Sequence, residues 1–424
     1  MSGPARTVAM GLLDRLFTTH VPETLVGLDS HLRILTQRLL EAVTGESSST
    51  ILVSGLEGTG KTHLVQRALC QLRSTTPDGV DYRLVHLDAS LLSPSQCCAE
   101  ITRQLQNLEP SRGSTQGDPF QAAFLRLRQA SGRIILVVEA VDAFLHEKNF
   151  LYSLFEACNE FHGPEKTLCT ILTARNARFP FLLAPTLRAR FFYEQLNTME
   201  AWAEFGDATD APGTAFVRAF FESRLKVEES GARTSEAAAI ARWNSKVSRV
   251  LGGRKAKEAL KLLGDVTRDC RTYLAALRQL CFQCFGDERR GESLTETGVH
   301  EAVHTVLCLG VDVYAQGVCN LSLEAQYLLA SVLAYRGEEE AFDIDEVLER
   351  CVESNELRAG RDLLALMRAS LFELIDARLI APSPQRSRAY RLLIPEAAQK
   401  STALLEQFPA PVRPLLRFGP GFGP

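Results

Sequence analysis

The sequence predicts an α/β core on a parallel, doubly wound sheet, then an all-helical region, then a block of three helices and a hairpin. Three observations carry that reading. Gly55-Leu56-Glu57-Gly58-Thr59-Gly60-Lys61-Thr62 fits G-x-x-x-x-G-K-[ST]. It stands between a β-branched apolar run (Thr50 to Ser54) and a helix-type stretch (His63 to Leu69), the strand–loop–helix setting that this phosphate loop requires. Short apolar runs then alternate with helical stretches up to about residue 198, the pattern of βα units. From Ala201 the pattern turns helical, and beyond Leu321 it changes again.

In chain order, Leu12, Leu13, Leu16 and Phe17 recur at helical spacing and predict a lead-in helix. Leu25-Val26-Gly27-Leu28 opens a second helix to about Val43, with Leu32, Leu35, Leu39 and Leu40 on its apolar face. Strands are expected at Arg83–Leu87, Ile134–Val138, Thr167–Thr173 and Phe191–Leu196, with helices at Pro94–Leu105, Phe120–Ala130 and Phe150–Phe161 between them. The continuous apolar run Ile134–Val138 suits a strand covered on both faces. Helices at Leu323–Ala334, Asp343–Glu353 and Leu363–Asp376 precede a strand–turn–strand stretch from Leu379 to Ile394, which together read as a winged helix. The expected domains are 1–198 (nucleotide-binding), 199–315 (helical) and 316–410 (winged helix), with 411–424 a disordered Gly/Pro tail.

Composition narrows the class. A chain of 424 residues with 46% hydrophobic content has material for two or three domains. No apolar run approaches the roughly 18 residues of a membrane span, and the short run Val8–Leu13 is broken by Asp14 and Arg15, so no membrane partner is expected. The net charge of −4 argues against coating nucleic acid by bulk charge while leaving room for a local basic face. Eleven cysteines are scattered without a framework and read as reduced thiols. Cys281 and Cys284 form the one C-x-x-C, without a second pair at zinc spacing, and read as helix packing.

The phosphate loop predicts nucleoside triphosphate binding. Gly55, Gly58 and Gly60 let successive N–H groups, with those of Thr59 and the neighbouring His63, turn onto phosphate oxygens. Lys61 supplies a point charge to the β/γ-phosphates, and the Thr62 hydroxyl a ligand for Mg²⁺. At the end of the 134–138 strand, a hydrolysing P-loop enzyme of the AAA+ type carries Asp for the Mg²⁺ shell and then Glu to polarise water. Here Glu139 and Ala140 stand there. Glu139 still offers a carboxylate to Mg²⁺, whereas Ala140 cannot accept a proton, and losing a positioned base removes about 10²–10⁴-fold in rate. Asp142, the nearest other carboxylate, is expected in the following turn or as a cap on the next helix. His86 and His146 lack partners at metal spacing and read as structural histidines. Arg386, Arg388 and Arg391 alternate around Tyr390, with Arg378 nearby, in a patch that suits DNA phosphates or a solvated hairpin equally.

Several motifs in order resemble the AAA+ initiator family of the eukaryotic origin recognition complex over roughly residues 25–410. They are Gly55–Thr62, Val85-His86-Leu87 through Ile101–Leu105, Phe144–Phe155, Leu172-Thr173-Ala174-Arg175 and Arg188-Ala189-Arg190-Phe191. The resemblance implies an AAA+ core, a helical lid and a winged helix in a nuclear ring of subunits, subunit 1 among them. That ring encircles double-stranded origin DNA and works with the machinery that loads the replicative helicase. It also assigns roles: Val26 and Gly27 to an adenine-side turn, Arg271 to a lid sensor reaching the γ-phosphate, and Arg190 to an arginine finger offered to the neighbour's site. Ala140, Ala174 (for a sensor Asn) and Thr186 (for a second Arg) depart from the pattern and weaken the case for hydrolysis in this chain's own site. The expected ligands are ATP and Mg²⁺, held rather than turned over. A self-sufficient remodelling or clamp-loading ATPase and a P-loop switch without a DNA role are the other readings.

Overall fold

A computed structural model describes residues 12, 16, 24–45, 47–76, 80–105, 119–130, 132–161, 166–200, 212–227, 234–285, 294–308, 313–319, 321–335, 341–353, 370–377, 379–383, 389–394, 399, 402–408, 412 and 416. By contacts the chain divides into a sheet unit, Leu28–Gly55 with Gly60–Met199, and a helical unit, Met1–Gly27 with Leu56–Thr59 and Glu200–Pro424.

The sheet unit runs α1 (Asp29–Thr44), β1 (Ser49–Ser54), α2 (Lys61–Thr75), β2 (Tyr82–Asp88), α3 (Pro94–Leu105), α4 (Pro119–Gln129), β3 (Arg133–Glu139), α5 (Lys148–Glu160), β4 (Thr167–Ala174) and β5 (Glu194–Asn197). The sheet has the order β2-β3-β4-β1-β5 and is parallel throughout. β4 is buried at every position and Ile134–Val138 of β3 are enclosed, which is why these strands read as continuous apolar runs. β4 pairs with β1 (Ser49–Ser54 on Cys169–Ala174) and with β3 (Arg133–Val138 on Thr167–Leu172). β1 and β3 therefore never touch. The phosphate loop leaving β1 and Glu139 closing β3 flank the end of β4, at the carboxyl edge where open α/β sheets bind ligands. Phe150, within the segment the sequence singles out, packs edge-on against Phe124 and Phe144 at 5.4 and 4.8 Å. β5 begins three residues later than expected, because Phe191 is spent on a stack with Phe155 and Tyr193 (4.4 Å each).

The helical unit contains two apolar cores. The first joins α6 (Pro212–Leu225), α7 (Thr234–Leu251), α8 (Arg254–Val266), α9 (Cys270–Phe285) and α10 (Glu296–Cys308) around Phe221, Trp243, Leu260, Tyr273 and Leu277. Leu12 and Leu16 are buried in this core, not with the sheet to which the 1–198 boundary assigns them. Periodicity marks an apolar face but not the surface it will meet. Cys281 and Cys284 also face this core, where burial pushes their thiols up to about 12 and about 11.

The second core belongs to α11 (Val313–Cys319), α12 (Leu323–Tyr335), β6 (Ala341–Asp343), α13 (Ile344–Glu353), β7 (Ile380–Pro382), β8 (Ala389–Leu392) and α14 (Thr402–Glu406). β7 and β8 are the expected hairpin strands, and β6 adds a third, antiparallel strand, Phe342 opposite Tyr390. Val412 and Leu416 are buried here, so packing continues into the segment expected to be a disordered tail. Arg378, Arg386, Arg388, residues 354–369 and residues 417–424 lie outside the described residues. Among the described residues no helix is long and apolar enough to cross a membrane.

Candidate functional site

In the sheet unit, Gly60 (φ 95°) precedes α2 in a left-handed conformation that costs glycine little. Lys61 opens the helix, its Nζ donating to the Gly55 carbonyl at 2.6 Å, and His63 is exposed in the same turn. The Thr62 hydroxyl donates to Glu139 Oε2 at 2.7 Å, and His86 Nε2 lies 2.9 Å from Oε1. Both carboxylate oxygens of Glu139 are thus engaged, on a side chain only 14% exposed. Burial pushes the Glu139 carboxyl up, but the His86 and Thr62 hydrogen bonds overcome it and hold the group below the usual range. The same hydrogen bond raises His86 above the ordinary histidine value. A hydroxyl and a carboxylate this close are hard oxygen donors of the kind Mg²⁺ takes, so the residues fit that ion.

The His86 pairing was not legible in the sequence. Its imidazole is satisfied, as expected of a structural histidine, but the partner is the predicted Mg²⁺ ligand. β2 and β3 run in register, His86 opposite Val137 and Asp88 opposite Glu139, and only the strand order brings the two ends together. The His86 N–H donates to Gln104 Oε1 (3.0 Å) and Gln104 Nε2 donates to the His86 carbonyl (3.2 Å), tying α3 to this edge strand.

Ala140 has φ 53° and ψ 44°, the one non-glycine with positive φ among the described residues. Its N–H donates to Thr173 Oγ1 at 2.9 Å, and the chain continues into a 3₁₀ turn, Val141–Phe144. Asp142, in that turn, accepts from the Arg175 N–H at 3.2 Å, while its Oδ1 is buried without a hydrogen bond. Burial raises its pKa. Asp142 thus ties the turn to the chain leaving β4. At the sensor position, Ala174 is enclosed and its carbonyl accepts from the Gly55 N–H at 3.2 Å. An asparagine does occur two residues on: Asn176 is buried and its Oδ1 accepts from the Arg178 N–H at 2.7 Å.

Loop residues Leu56–Thr59 pack with the helical unit. Thr59 Oγ1 donates to the Leu56 carbonyl at 2.7 Å, and the Cys270 N–H to the Gly58 carbonyl at 3.1 Å. A Cβ on Gly58 (φ 78°) would meet Asp269 Oδ1 at 2.0 Å, so this position requires glycine twice over. Arg271 donates to both oxygens of Asp269 and, through Nη1, to Glu57 Oε1 at 3.0 Å. The Asp269 hydrogen bonds hold its pKa above the ordinary value. Val26 packs against the same helical core, and Gly27 (φ 73°) makes the turn before α1.

The two arginines after β4 differ in kind. Arg188 donates to the carbonyls of Pro180, Phe181 and Leu183, stapling the chain before it. Arg190, 45% exposed, lies 4.4 Å over the Tyr152 ring and 3.9 Å from Glu156, on the face of α5. Arg391 is exposed in the middle strand of the C-terminal sheet.

Residues 44–183 match the AAA domain family. The solved Aeropyrum pernix ORC2 protein, in ADPNP–ADP complexes, superposes with a TM-score of 0.55 at 15% identity, covering 95% of this chain and 97% of that one. The fold is AAA+. Outside the solved structures, the AAA+ chain is similar to origin recognition complex subunit 4 of Cricetulus griseus, 28% identical over 242 residues (54% of this chain, 51% of that protein). It is 30% identical over 204 residues to the Rattus norvegicus protein (45% and 46%). The AAA+ chain thus resembles subunit 4 of the complex, and spans about half the length of the curated relatives it matches.

Proposed function

We propose that this chain is a nuclear, ATP-binding subunit of an origin recognition complex that holds its nucleotide without hydrolysing it. One observation carries the second half: Thr62 and Glu139 stand as a Mg²⁺-type donor pair 2.7 Å apart, and the next residue is Ala140, which has no group to accept a proton. Backbone N–H groups from Gly55 to His63 receive the phosphates, Lys61 neutralises the β/γ oxygens, and Thr62 and Glu139 hold Mg²⁺. Bound there, the ion would supply charge compensation for the phosphates. Val26 and Gly27 face the adenine, and Arg271 serves as the lid sensor once it exchanges Glu57 for phosphate.

The assembly half rests on the resemblance to subunit 4 and on Arg190, which is exposed where Arg188 is spent on backbone. Exposed Phe181 and Phe192 lie on the same stretch of chain and suit burial against a neighbour. In this reading Arg190 enters the site of a neighbouring subunit, and subunit 1 is among the partners. The C-terminal unit is a winged helix contacting duplex DNA through Arg386, Arg388 and Arg391, and the assembly takes part in loading the replicative helicase.

The test is equilibrium binding of Mg²⁺-ATP to the isolated chain, followed by recovery of the bound nucleotide. ATP recovered intact, with binding lost in Lys61→Ala, is the expected result. At a ligand concentration 1,000 times Kd, binding stabilises the fold by about 4.1 kcal/mol, so Lys61→Ala also loses the ATP-induced rise in Tm. Turnover at AAA+ motor rates by the chain alone would overturn the reading in favour of a self-sufficient remodelling or clamp-loading ATPase.

A further inference from the structure

We propose that the solvent face of α7 is a second docking surface for the phosphodiester backbone of duplex nucleic acid, separate from the C-terminal sheet and independent of the nucleotide site. From Ala237 to Lys257 the chain carries Arg242, Lys246, Arg249, Arg254, Lys255 and Lys257 and no acidic residue, although the whole protein is net acidic. Packing fixes which way this helix faces. Trp243, Val247 and Val250 are buried in the helical core, and Trp243 Nε1 donates to the Leu225 carbonyl at 2.7 Å. Asn244 bonds both ways with the Val227 backbone, at 2.9 Å each. With that side pinned, the opposite face has to meet solvent.

There, Ala241, Arg242, Ser245, Lys246 and Arg249 line an open concavity of about 370 Å³. Arg242, Lys246 and Arg249 have i, i+4, i+7 spacing and so share one stripe. At a rise of about 1.5 Å per residue the stripe is about 10.5 Å long. A duplex strand carries a phosphate every 3.4 Å or so of axis, so a stripe of this length reaches at most about three phosphates of one strand. Ala241 and Ser245 between them are small enough for a backbone to come close. The chemistry favours a polyanion over a protein partner, because the lining offers no aromatic or large aliphatic anchor of the kind that carries protein–protein affinity.

The experiment measures binding of the full chain to a short mixed-sequence duplex by fluorescence anisotropy across a salt series. It compares wild type, Arg242→Ala/Lys246→Ala/Arg249→Ala, and a charge-matched control, Arg33→Ala/Arg73→Ala/Arg126→Ala, taken from exposed cations of the sheet unit. Alanine keeps helix propensity, and an unchanged thermal melt confirms that α7 is intact. The slope of log K against log salt is expected to fall by up to about 2.7 in the α7 variant, similarly on different sequences, and to hold in the control. Equal slopes in the α7 variant and wild type, an equal fall in the control, or no duplex binding by the wild type would overturn the proposal. Loss of poly-glutamate binding with duplex binding unchanged would overturn it in favour of an acidic protein partner.

Discussion

Ala140 combines a chemical loss with a conformational oddity. A non-glycine residue at φ 53° pays about 1–2 kcal/mol for its Cβ. Ala140→Gly relieves that strain against an unfolded-state entropy penalty of about 0.4–1 kcal/mol, so it should leave stability unchanged or slightly higher. Ala140→Val, β-branched at positive φ, should be less stable than Ala140→Gly by about 1–2 kcal/mol, read from urea midpoints at equal m. His86 makes a second prediction. Because the Glu139 hydrogen bond raises its pKa, its contribution to stability is complete below the ordinary value near 6.5 and fades as pH rises through the raised one. The Glu139 contribution has the opposite sign, present above the ordinary carboxylate value and fading only as pH falls through the lowered one. In nucleotide-free protein, the Tm deficit of His86→Phe should therefore be larger at pH 6 than at pH 8.5. A deficit that does not change with pH would mean the imidazole contributes through packing alone. The effect should be modest, since the His86 side chain is 44% exposed.

At the scale of elements, what a side chain does depends on what its neighbours leave unsatisfied. Arg188 and Arg190 stand two residues apart in the motif Arg188-Ala189-Arg190-Phe191, which by composition alone does not tell them apart. The structure gives Arg188 three backbone carbonyls and leaves Arg190 on an aromatic ring at the surface of α5. Arg190→Ala should leave ATP binding by this chain intact and lower hydrolysis by the assembled complex by about 10³–10⁵. Normal ATPase from a complex carrying Arg190→Ala would remove the finger from this residue. Periodicity and the phosphate loop made the strands and helices of the sheet unit legible to within a few residues. β6 was not legible, because Ala341-Phe342-Asp343 has too few residues for alternation to register and its strand character comes from pairing with β8. The Glu139–His86 contact was hidden for a related reason: each residue is ordinary alone, and only the adjacency of β2 and β3 joins them.

Across the whole molecule, 47 basic residues are outnumbered by 51 acidic ones, so affinity for DNA has to come from local patches. Among the C-terminal arginines, Arg386→Ala/Arg388→Ala/Arg391→Ala should flatten the salt dependence of duplex binding by the assembled complex by up to about 2.7 log units per log unit of salt. It should weaken binding alike on different sequences, since phosphate contacts carry no base information. Loss on one sequence only would make the hairpin a base reader, and an unchanged slope would make it a protein-docking surface. The division of the chain was only partly legible. Sequence patterning separates sheet from helices, yet Leu12, Leu16 and the loop Leu56–Thr59 belong by contact with the helical unit, because tertiary packing recruits residues from far along the chain.

Gln104 spends both ends of its amide on the outer edge of β2. An unpaired edge strand is a template on which another chain can add itself, and proteins that work at high local concentration have to blunt it. The carboxamide presents the same donor and acceptor as a peptide group, so at His86 a single side chain takes the place that the next strand would fill. The residue whose backbone Gln104 caps is also the one whose imidazole meets Glu139, so the cover of the sheet edge and the candidate site share one position of β2.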